Sequence, residues 1–464
     1  MSVPYWIQDA IFYQIFPDRF ANGDPTNDPP NLRPWNLPPT RDGFQGGDLR
    51  GIIQNFDYLL DLGINSIYLN PIFQATSTHR YNTTDYYKID PFLGDLRDFK
   101  ALIEVAHQNE VRIILDGVFN HAGRGFFAFN DILENQESSP YRDWFHIKHF
   151  PIDAYSPGDA SDYLGWWKLK SLPKFNIDNP AVRKYLLGVA RYWIEQGADG
   201  WRLDVPNEID DDGFWLQFRH AVKLANPDAY ILGEIWQAGP RWVGDTHFDG
   251  LMNYPIRDVI LGFVKGKSTA SECADRFEKT LGMYLPENAF AMYVPLGSHD
   301  TERVVTLLEG EIKKVELAML LQFAYPGAPA IYYGDEIGLE GAKDPDSRRT
   351  FPWEPKKWNH GLHTWVKKLI HLRKTSTILR RGIYLPILAD NEHAILAFGR
   401  ILGEESLLVI VNANHIRRQF DLPIEKLGWC DRQIVHNLLD SGEFIVSGDK
   451  VSLVIPPMSG LILQ

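Results

Sequence analysis

Short apolar, β-branched or aromatic runs alternate along most of the chain with longer stretches in which apolar residues recur every three or four positions. The short runs predict strands at Ala10–Phe16, Ile64–Asn70, Val111–Val118, Gly200–Val205, Tyr230–Trp236, Gly250–Asn253, Ala291–Leu296 and Ala330–Tyr333. The longer period predicts helices over Leu49–Leu62, Leu96–Gln108, Ala181–Glu195, Asp212–Ala225 and Lys313–Phe323. Strands that alternate with helices imply a parallel sheet with crossovers. A closed barrel and an open doubly wound sheet share this rhythm. Eight strands, with ionisable residues gathered at their C-terminal ends, favour an α/β (β/α)8 TIM barrel.

One interval breaks the pattern. Between Asn120 and Phe175 there is no sustained period but much Gly, Pro, Asp and aromatic residue, which predicts a loop-rich insertion after the third strand. A further helix is expected over His363–Ile378. Beyond it come short alternating runs such as Ala394–Phe398, Leu407–Val411, Gln433–Val435 and Val451–Ile455, the texture of an antiparallel β-sandwich. The expected organisation is a catalytic barrel over 1–119 and 177–379, an inserted domain over 120–176 and a C-terminal β domain over 380–464.

Composition adds less, with one exception. At 464 residues, 44% hydrophobic and 23% charged, the chain is an ordinary globular one of ample core. Its net charge of −13 repels phosphate backbones and anionic lipid, so nucleic acid and membrane surfaces are not expected partners. Cys273 and Cys430 are too few for a disulfide framework and too far apart for a metal knuckle, which suits a reducing, cytoplasmic setting. No basic residue precedes Arg19, so no secretory leader is visible, and the most apolar stretch, Ala318–Tyr333, is broken by Gln322, Pro326 and Pro329. The exception is the aromatic content: 14 Trp, 20 Tyr and 26 Phe.

The strand exits carry the chemistry. They hold Asp116 and His121, then Arg202 and Asp204, then Glu234, then His299 and Asp300. Arg202 lies two residues before Asp204 and therefore on the same face, where it keeps that carboxylate ionised and aimed. A structural ion pair is the alternative reading of the same spacing. Glu234 follows a buried-strand run and has Trp236 beside it, an environment that raises a carboxyl toward the range of a general acid; a hydrogen-bonded strand-end Glu is the alternative. Ser298, His299 and Asp300 do not form a hydrolase triad, because neighbours on an extended chain point to opposite sides and no Gly-x-Ser-x-Gly elbow is present. Gly262–Ser268 has the wrong spacing for a phosphate loop, and no His-Glu-x-x-His zinc pattern occurs. What remains is three carboxylates with Arg and His between them, a set suited to breaking an acetal with one nucleophile and one acid.

The blocks Asp116-Gly-Val-Phe-Asn-His121, Gly200-Trp-Arg-Leu-Asp204, Gly233-Glu-Ile-Trp236 and Ser298-His-Asp300 occur in the order and context of the α-amylase superfamily, glycoside hydrolase family 13, which the chain resembles over essentially its whole length. Leu172-Pro-Lys-Phe-Asn176, Val205-Pro-Asn-Glu208 and Asp344-Pro-Asp-Ser-Arg-Arg349 are similar to signatures of its neopullulanase, cyclomaltodextrinase and maltogenic amylase subgroup. The resemblance implies Asp204 as nucleophile, Glu234 as acid/base and Asp300 as the residue that holds sugar hydroxyls. It places Tyr81, His121, Arg202, His299, Glu208 and Trp236 against substrate. The implied reaction is retaining hydrolysis of α-1,4, and also α-1,6, glucosidic bonds in maltodextrins, branched glucans, pullulan or cyclodextrins. Subgroup members usually begin with an extra β-sandwich that builds a dimer, whereas here Ala10–Phe16 already reads as the first barrel strand. The expectation is therefore an open site of debranching type, in a monomer or a dimer built some other way.

Asn22, Asp24, Asn27 and Asp28 place four oxygen-bearing side chains within seven residues, with Gly46 and Asp48 on the next turn. Hard oxygen ligands suit Ca²⁺, although a polar turn has the same composition; the resemblance implies a structural calcium there. Asp210-Asp-Asp212 reads as a helix N-terminus, and the sequon Asn82-Thr-Thr84 has no role in a cytoplasmic chain. No organic cofactor is implied. Tyr81, Trp201, Trp236 and Trp353 are candidate platforms for glucose rings, and Trp166 with Trp167 lies in the insertion. Two other readings compete: a transglycosylase or isomerase on the same scaffold, and a non-catalytic glucan-binding relative, whose usual mark is a lost acid.

Overall fold

The computed structural model describes residues 2–464. The eight strands expected from the sequence form one parallel sheet: β1 (Phe12–Ile15), β2 (Ser66–Leu69), β3 (Arg112–Gly117), β4 (Gly200–Leu203), β5 (Tyr230–Gly233), β6 (Gly250–Leu251), β7 (Tyr293–Pro295) and β8 (Ala328–Tyr332). Their order around the sheet is β6-β5-β4-β3-β2-β1-β8-β7. The two ends meet in a parallel bridge between Met252 and Tyr293, where the Asn253 N–H donates to the Tyr293 carbonyl at 2.7 Å. That bridge makes the sheet a barrel and excludes the open doubly wound alternative.

Two-residue alternation sorts the strand side chains. Phe12, Tyr68, Ile114, Tyr230, Leu232 and Tyr293 fill the barrel, while Tyr13, Ile67, Ile113, Trp201 and Ile231 belong to the core shared with the helices. Extended to the strand exits, the same alternation turns Gln14, Asn70, Asp116, Arg202 and Asp204 inward. The outward parity of Trp201 corrects its reading as a sugar platform: it is fully buried, its indole N–H donates to the Ala190 carbonyl, and it packs on Phe73 and Phe119.

The helices Leu96–Gln108 and Asp212–Ala225 fall where their periodicity places them. The helix expected over Leu49–Leu62 is two, Leu49–Gln54 and Phe56–Leu62, which meet at Asn55, a residue outside helical backbone geometry (φ −107°, ψ 19°) whose side-chain amide and backbone N–H both donate to the Gly51 carbonyl. His363–Ile378 likewise divides into His360–Thr375 and Thr377–Arg381 at Ser376, whose hydroxyl caps the second piece. Elements that the pattern did not predict include the hairpin of Phe73–Ala75 with Thr83–Ile89, the helix Phe127–Asn135 inside the insertion, and the helices Tyr254–Val264 and Ala270–Leu281.

The segment after β3 folds on an aromatic core of Phe126, Phe129, Phe145, Tyr163 and Phe175, and short bridges (His121 to Lys174, Gly165 to Pro173) return it to the barrel rim. Beyond residue 382 the chain forms two four-stranded antiparallel sheets around a separate core that includes Ile395, Leu408, Ile410, Leu422, Val451 and Leu453. Among the described residues no helix is long and apolar enough to cross a membrane.

Candidate active site

The C-terminal ends of β3, β4 and β5 deliver Asp116, Arg202 with Asp204, and Glu234 to one buried point. Arg202 is fully buried, and its Nη1 donates to Asp116 Oδ1 at 2.7 Å and to Asp204 Oδ1 at 3.1 Å. Its Nη2 lies 2.6 Å from Glu234 Oε1, in contact but without hydrogen-bond geometry. The backbone N–H of Val205 donates to Glu234 Oε2 at 3.1 Å. Val205 reaches that position in the left-handed region (φ 36°, ψ 51°), a conformation that a β-branched side chain resists. Backbone strain at the residue after Asp204 is thus spent on orienting Glu234.

Three carboxylates share one guanidinium here, so charge is not balanced. Burial pushes Glu234 up to about 7; Arg202 opposes this, and Asp300 adds to it. Burial also raises Asp204 and Asp116, with Arg202 the leading opposing influence on each. Asp116 and Asp204 each accept a hydrogen bond from Arg202 Nη1 whereas Glu234 accepts none from this guanidinium, so Glu234 is the acid suited to carry a proton near neutrality.

A second set of groups fixes the pocket wall. Tyr68 and Tyr81 donate their hydroxyls to Asp116 Oδ2 at 2.5 and 2.9 Å. The Gln14 amide donates to His299 Nδ1 at 3.0 Å, which leaves the proton of the neutral ring on Nε2, facing Tyr81 Oη at 2.5 Å and Asp300 Oδ2 at 3.1 Å. Burial holds His299 well below the ordinary histidine range, with Arg348 and Arg202 adding to the effect. The ring lies parallel to Tyr81, 5.4 Å away. Asp300 also pairs with Arg348 at 3.2 Å. The expectation that His299 and Asp300 point to opposite sides is corrected, because the chain has left its strand and turns at these residues. Among the described residues Ser298 has no hydrogen bond to the His299 ring, so the pair does not make a triad.

His121 is buried and held down to about 3 by that burial, and its Nε2 faces the Tyr81 carbonyl at 3.2 Å. Trp236 is 46% exposed and stacks on Tyr254 at 3.9 Å, an indole face at the pocket rim. Glu208 is exposed on the turn after β4, and the Lys174 ammonium donates to its carbonyl at 2.6 Å, which ties the insertion to that turn. Trp353 is half-buried among Phe20, Tyr58 and Phe351 rather than presented at the catalytic group. Asp211 caps the helix Asp212–Ala225 by accepting from the Phe214 N–H, as its position predicts. Gln14, Asn70, Tyr68 and Arg348 escaped the sequence reading as site residues. The first three could have been found by carrying the inward parity of each strand to its end.

The loop after β1 gathers the expected ion ligands. Asn22 Oδ1 and Asn27 Oδ1 are buried without a hydrogen-bond partner, and Asn22 Nδ2 donates to Asp28 Oδ1 at 2.7 Å. A Cβ on Gly46 (φ 81°) would fall 2.6 Å from Asp28 Oδ1, so only glycine fits this cradle. Asp48 is differently occupied: its Oδ2 accepts from the N–H groups of Gly23 and Asp24, and its Oδ1 from Gly51. Asp24 accepts from Thr26 and pairs with Arg50 at 2.9 Å. Among the described residues no three His, Cys, Asp or Glu side chains converge as a metal cluster. Any donor set here therefore depends on amide and backbone oxygens.

Known proteins resemble this chain over most of its length. The profile described as "Alpha amylase, catalytic domain" matches residues 14–377. A cyclomaltodextrinase from Geobacillus thermopakistaniensis is 44% identical over 460 residues, 98% of this chain and 77% of that one. The cyclic α-maltosyl-(1→6)-maltose hydrolase of Arthrobacter globiformis superposes with a TM-score of 0.91 at 39% identity, over all of both chains. A debranching enzyme from Nostoc punctiforme superposes at 0.89 with 40% identity, covering 100% of this chain and 99% of that one.

Proposed function

The chain belongs to the α-amylase family, and on that premise we propose that it is a retaining α-glucan hydrolase of neopullulanase and debranching type. One observation carries the reading: Asp204 and Glu234 face each other across Arg202, with Glu234 raised to about 7. Glu234 donates its proton to the departing glycosidic oxygen while Asp204 attacks the anomeric carbon. The C–O bond breaks and an ester to Asp204 forms. Water then gives a proton to the Glu234 carboxylate and its oxygen to the anomeric carbon, releasing Asp204. Asp300, held by His299 and Arg348, receives sugar hydroxyls beside the flattening ring. Tyr81 and His299 present the polar and flat surface that this ring meets.

The substrates are linear and branched maltodextrins, with α-1,4 and α-1,6 bonds both cleaved. The names of the Arthrobacter and Nostoc relatives support the α-1,6 part. Products from cyclodextrin, pullulan, starch and branched maltosides test it. Panose or branched oligosaccharides consumed faster than cyclodextrin are expected, and fast cyclodextrin cleavage with little action on branched substrates overturns the preference. Trp236, exposed beside Glu234, also supports transfer to a second sugar in place of water, read as the transfer-to-hydrolysis ratio at high maltotriose.

Asn22, Asn27, Asp28 and the Gly46 carbonyl would hold a calcium ion, which would supply a rigid crosslink of the loop after β1. Asp24 and Asp48 would have to share oxygens already hydrogen-bonded. Chelator treatment that lowers the melting temperature, restored by added Ca²⁺, supports the site; no change removes it. The free Cys273 and Cys430 support a cytoplasmic setting.

A further inference from the structure

A cavity of about 530 Å³ opens between the loop after β1, the helix break at Asn55, and Trp353 in the chain beyond β8. None of the residues that line it belongs to the cluster around Asp204 and Glu234. Its apolar walls include Trp35, Trp353, Leu32 and Pro34. The Trp35 indole N–H donates to the Phe351 carbonyl at 2.9 Å and the Trp353 N–H to the Phe20 carbonyl at 2.6 Å, so each ring is anchored by its polar edge and offers carbon to the cavity. The loop is braced by the buried Gln45 amide, which donates to the carbonyls of Pro34, Trp35 and Leu37 at 3.2, 3.2 and 3.0 Å. The cavity is thus preformed, and its volume is that of a small-ligand site.

Two polar groups on its wall are left with capacity to spare. Arg33 is half-buried, and among the described residues no carboxylate lies within ion-pair distance of its guanidinium. Its one side-chain hydrogen bond is long, from Nη2 to the Pro38 carbonyl at 3.4 Å, while Nη1 makes none and stays open to solvent. The Asn55 side chain spends Nδ2 on the Gly51 carbonyl and keeps an open Oδ1 acceptor. In a chain of net charge −13, a guanidinium set among indoles with no acid against it is an unmatched charge. Its planar fork of donors suits a phosphate or a carboxylate. The indole carbon suits the apolar face of a sugar ring, and Asn55 Oδ1 suits a hydroxyl.

We infer that this cavity is a second ligand site, for a hexose that carries an anionic group, phosphate or carboxylate. Arg33 takes the anion, Trp35 and Trp353 take the ring and Asn55 takes a hydroxyl. Inorganic phosphate alone leaves the aromatic walls uncovered, and a neutral maltodextrin leaves the Arg33 charge unmatched. The site stands apart from the hydrolase reading and does not depend on it.

The test is calorimetric titration of the full chain with glucose 6-phosphate, glucuronate, inorganic phosphate and maltose, repeated on Arg33→Gln and Arg33→Lys. At least one of the two anionic hexoses is expected to bind, more weakly as salt is raised, and the tighter of the two identifies the anion. Arg33→Gln should weaken that binding at least about tenfold, the size of a charge-assisted hydrogen bond, and Arg33→Lys should keep part of it. Maltose binding, which does not involve Arg33, should be the same in all three proteins and shows that the variants are folded. No binding of either anionic hexose, or equal binding by Arg33→Gln, overturns the site. Inorganic phosphate that binds as tightly as the hexoses overturns it too, since the cavity then holds an adventitious ion only. So does displacement of the hexose by maltotriose in Asp204→Asn, which would place it in the catalytic pocket.

Discussion

At the C-terminal end of the barrel three buried carboxylates, Asp116, Asp204 and Glu234, surround the single guanidinium of Arg202. At the opposite end one buried carboxylate, Asp249, is surrounded by two cations. Arg219 pairs with its Oδ1 at 2.8 Å and Lys223 with its Oδ2 at 2.9 Å, and the Ile231 N–H at the start of β5 donates to Oδ2 as well. Asp199 repeats this design before β4, with Arg112, His107 and the Ile113 N–H around it. Both ends bury charge, and only one overloads it with acid. An acid ringed by cations and an N–H has its charge matched and serves the fold. A cation ringed by acids leaves a proton bound near neutral pH, which makes it available for chemistry.

The largest effect that can break the contrast is chemical. Asp204→Asn or Glu234→Gln is expected to lower kcat by at least about 1,000-fold, because each removes a group that forms or breaks a bond. Neither should lower the melting temperature, since each relieves repulsion among the three acids. Loss of fold in Glu234→Gln would show that the upper cluster is structural after all. Asp249→Ala is expected to do the reverse. It strands two buried cations and costs about 3–5 kcal/mol in denaturant unfolding, while turnover per folded molecule is unchanged.

A pH series sharpens the same comparison. With its native carboxyl raised to about 7 from the ordinary 4.5, Glu234 binds its proton more tightly folded than unfolded. Its contribution to stability is therefore fully present below pH 4.5 and is lost as pH rises through about 7. Melting temperatures of the wild type and Glu234→Gln should differ least below pH 4.5 and diverge in favour of the variant as pH rises to 7. Glu336, also raised to about 7 by burial, titrates in both proteins and cancels from the difference. The activity counterpart is a fall in kcat/KM above about pH 7 as the acid loses its proton. The smallest effect belongs to the rim: Trp236→Ala should raise KM about tenfold and depress transfer to acceptor sugars, with the pH profile unmoved.

Much of this was legible in the sequence because barrels obey a strict parity. The eight strands, the order of Asp204, Glu234 and Asp300 along the chain, and the Arg202 pairing all follow from runs and spacings. The failures are just as physical. Trp201 read as a sugar platform because it lies near a predicted strand end, yet one residue along a strand reverses the face. Asn55 and Ser376 interrupt helices that periodicity ran together, since hydrogen bonds between a polar side chain and its local backbone leave no trace in a hydrophobic pattern. The His299–Asp300 contact depends on a turn, which residue type does not announce. Strand parity alone would have turned Gln14 and Asn70 inward, but their hydrogen bonds to each other and to His299 join segments far apart in the chain, which no local pattern reports.

The most direct test of the acid-rich cluster as a retaining catalytic pair is the anomeric configuration of the first product, followed by proton NMR during the opening minutes of maltodextrin hydrolysis. Passage through an Asp204 ester predicts that the new reducing end is released as the α-anomer and only later mutarotates; a β-anomer formed first would mean that water attacks directly, and would contradict the account.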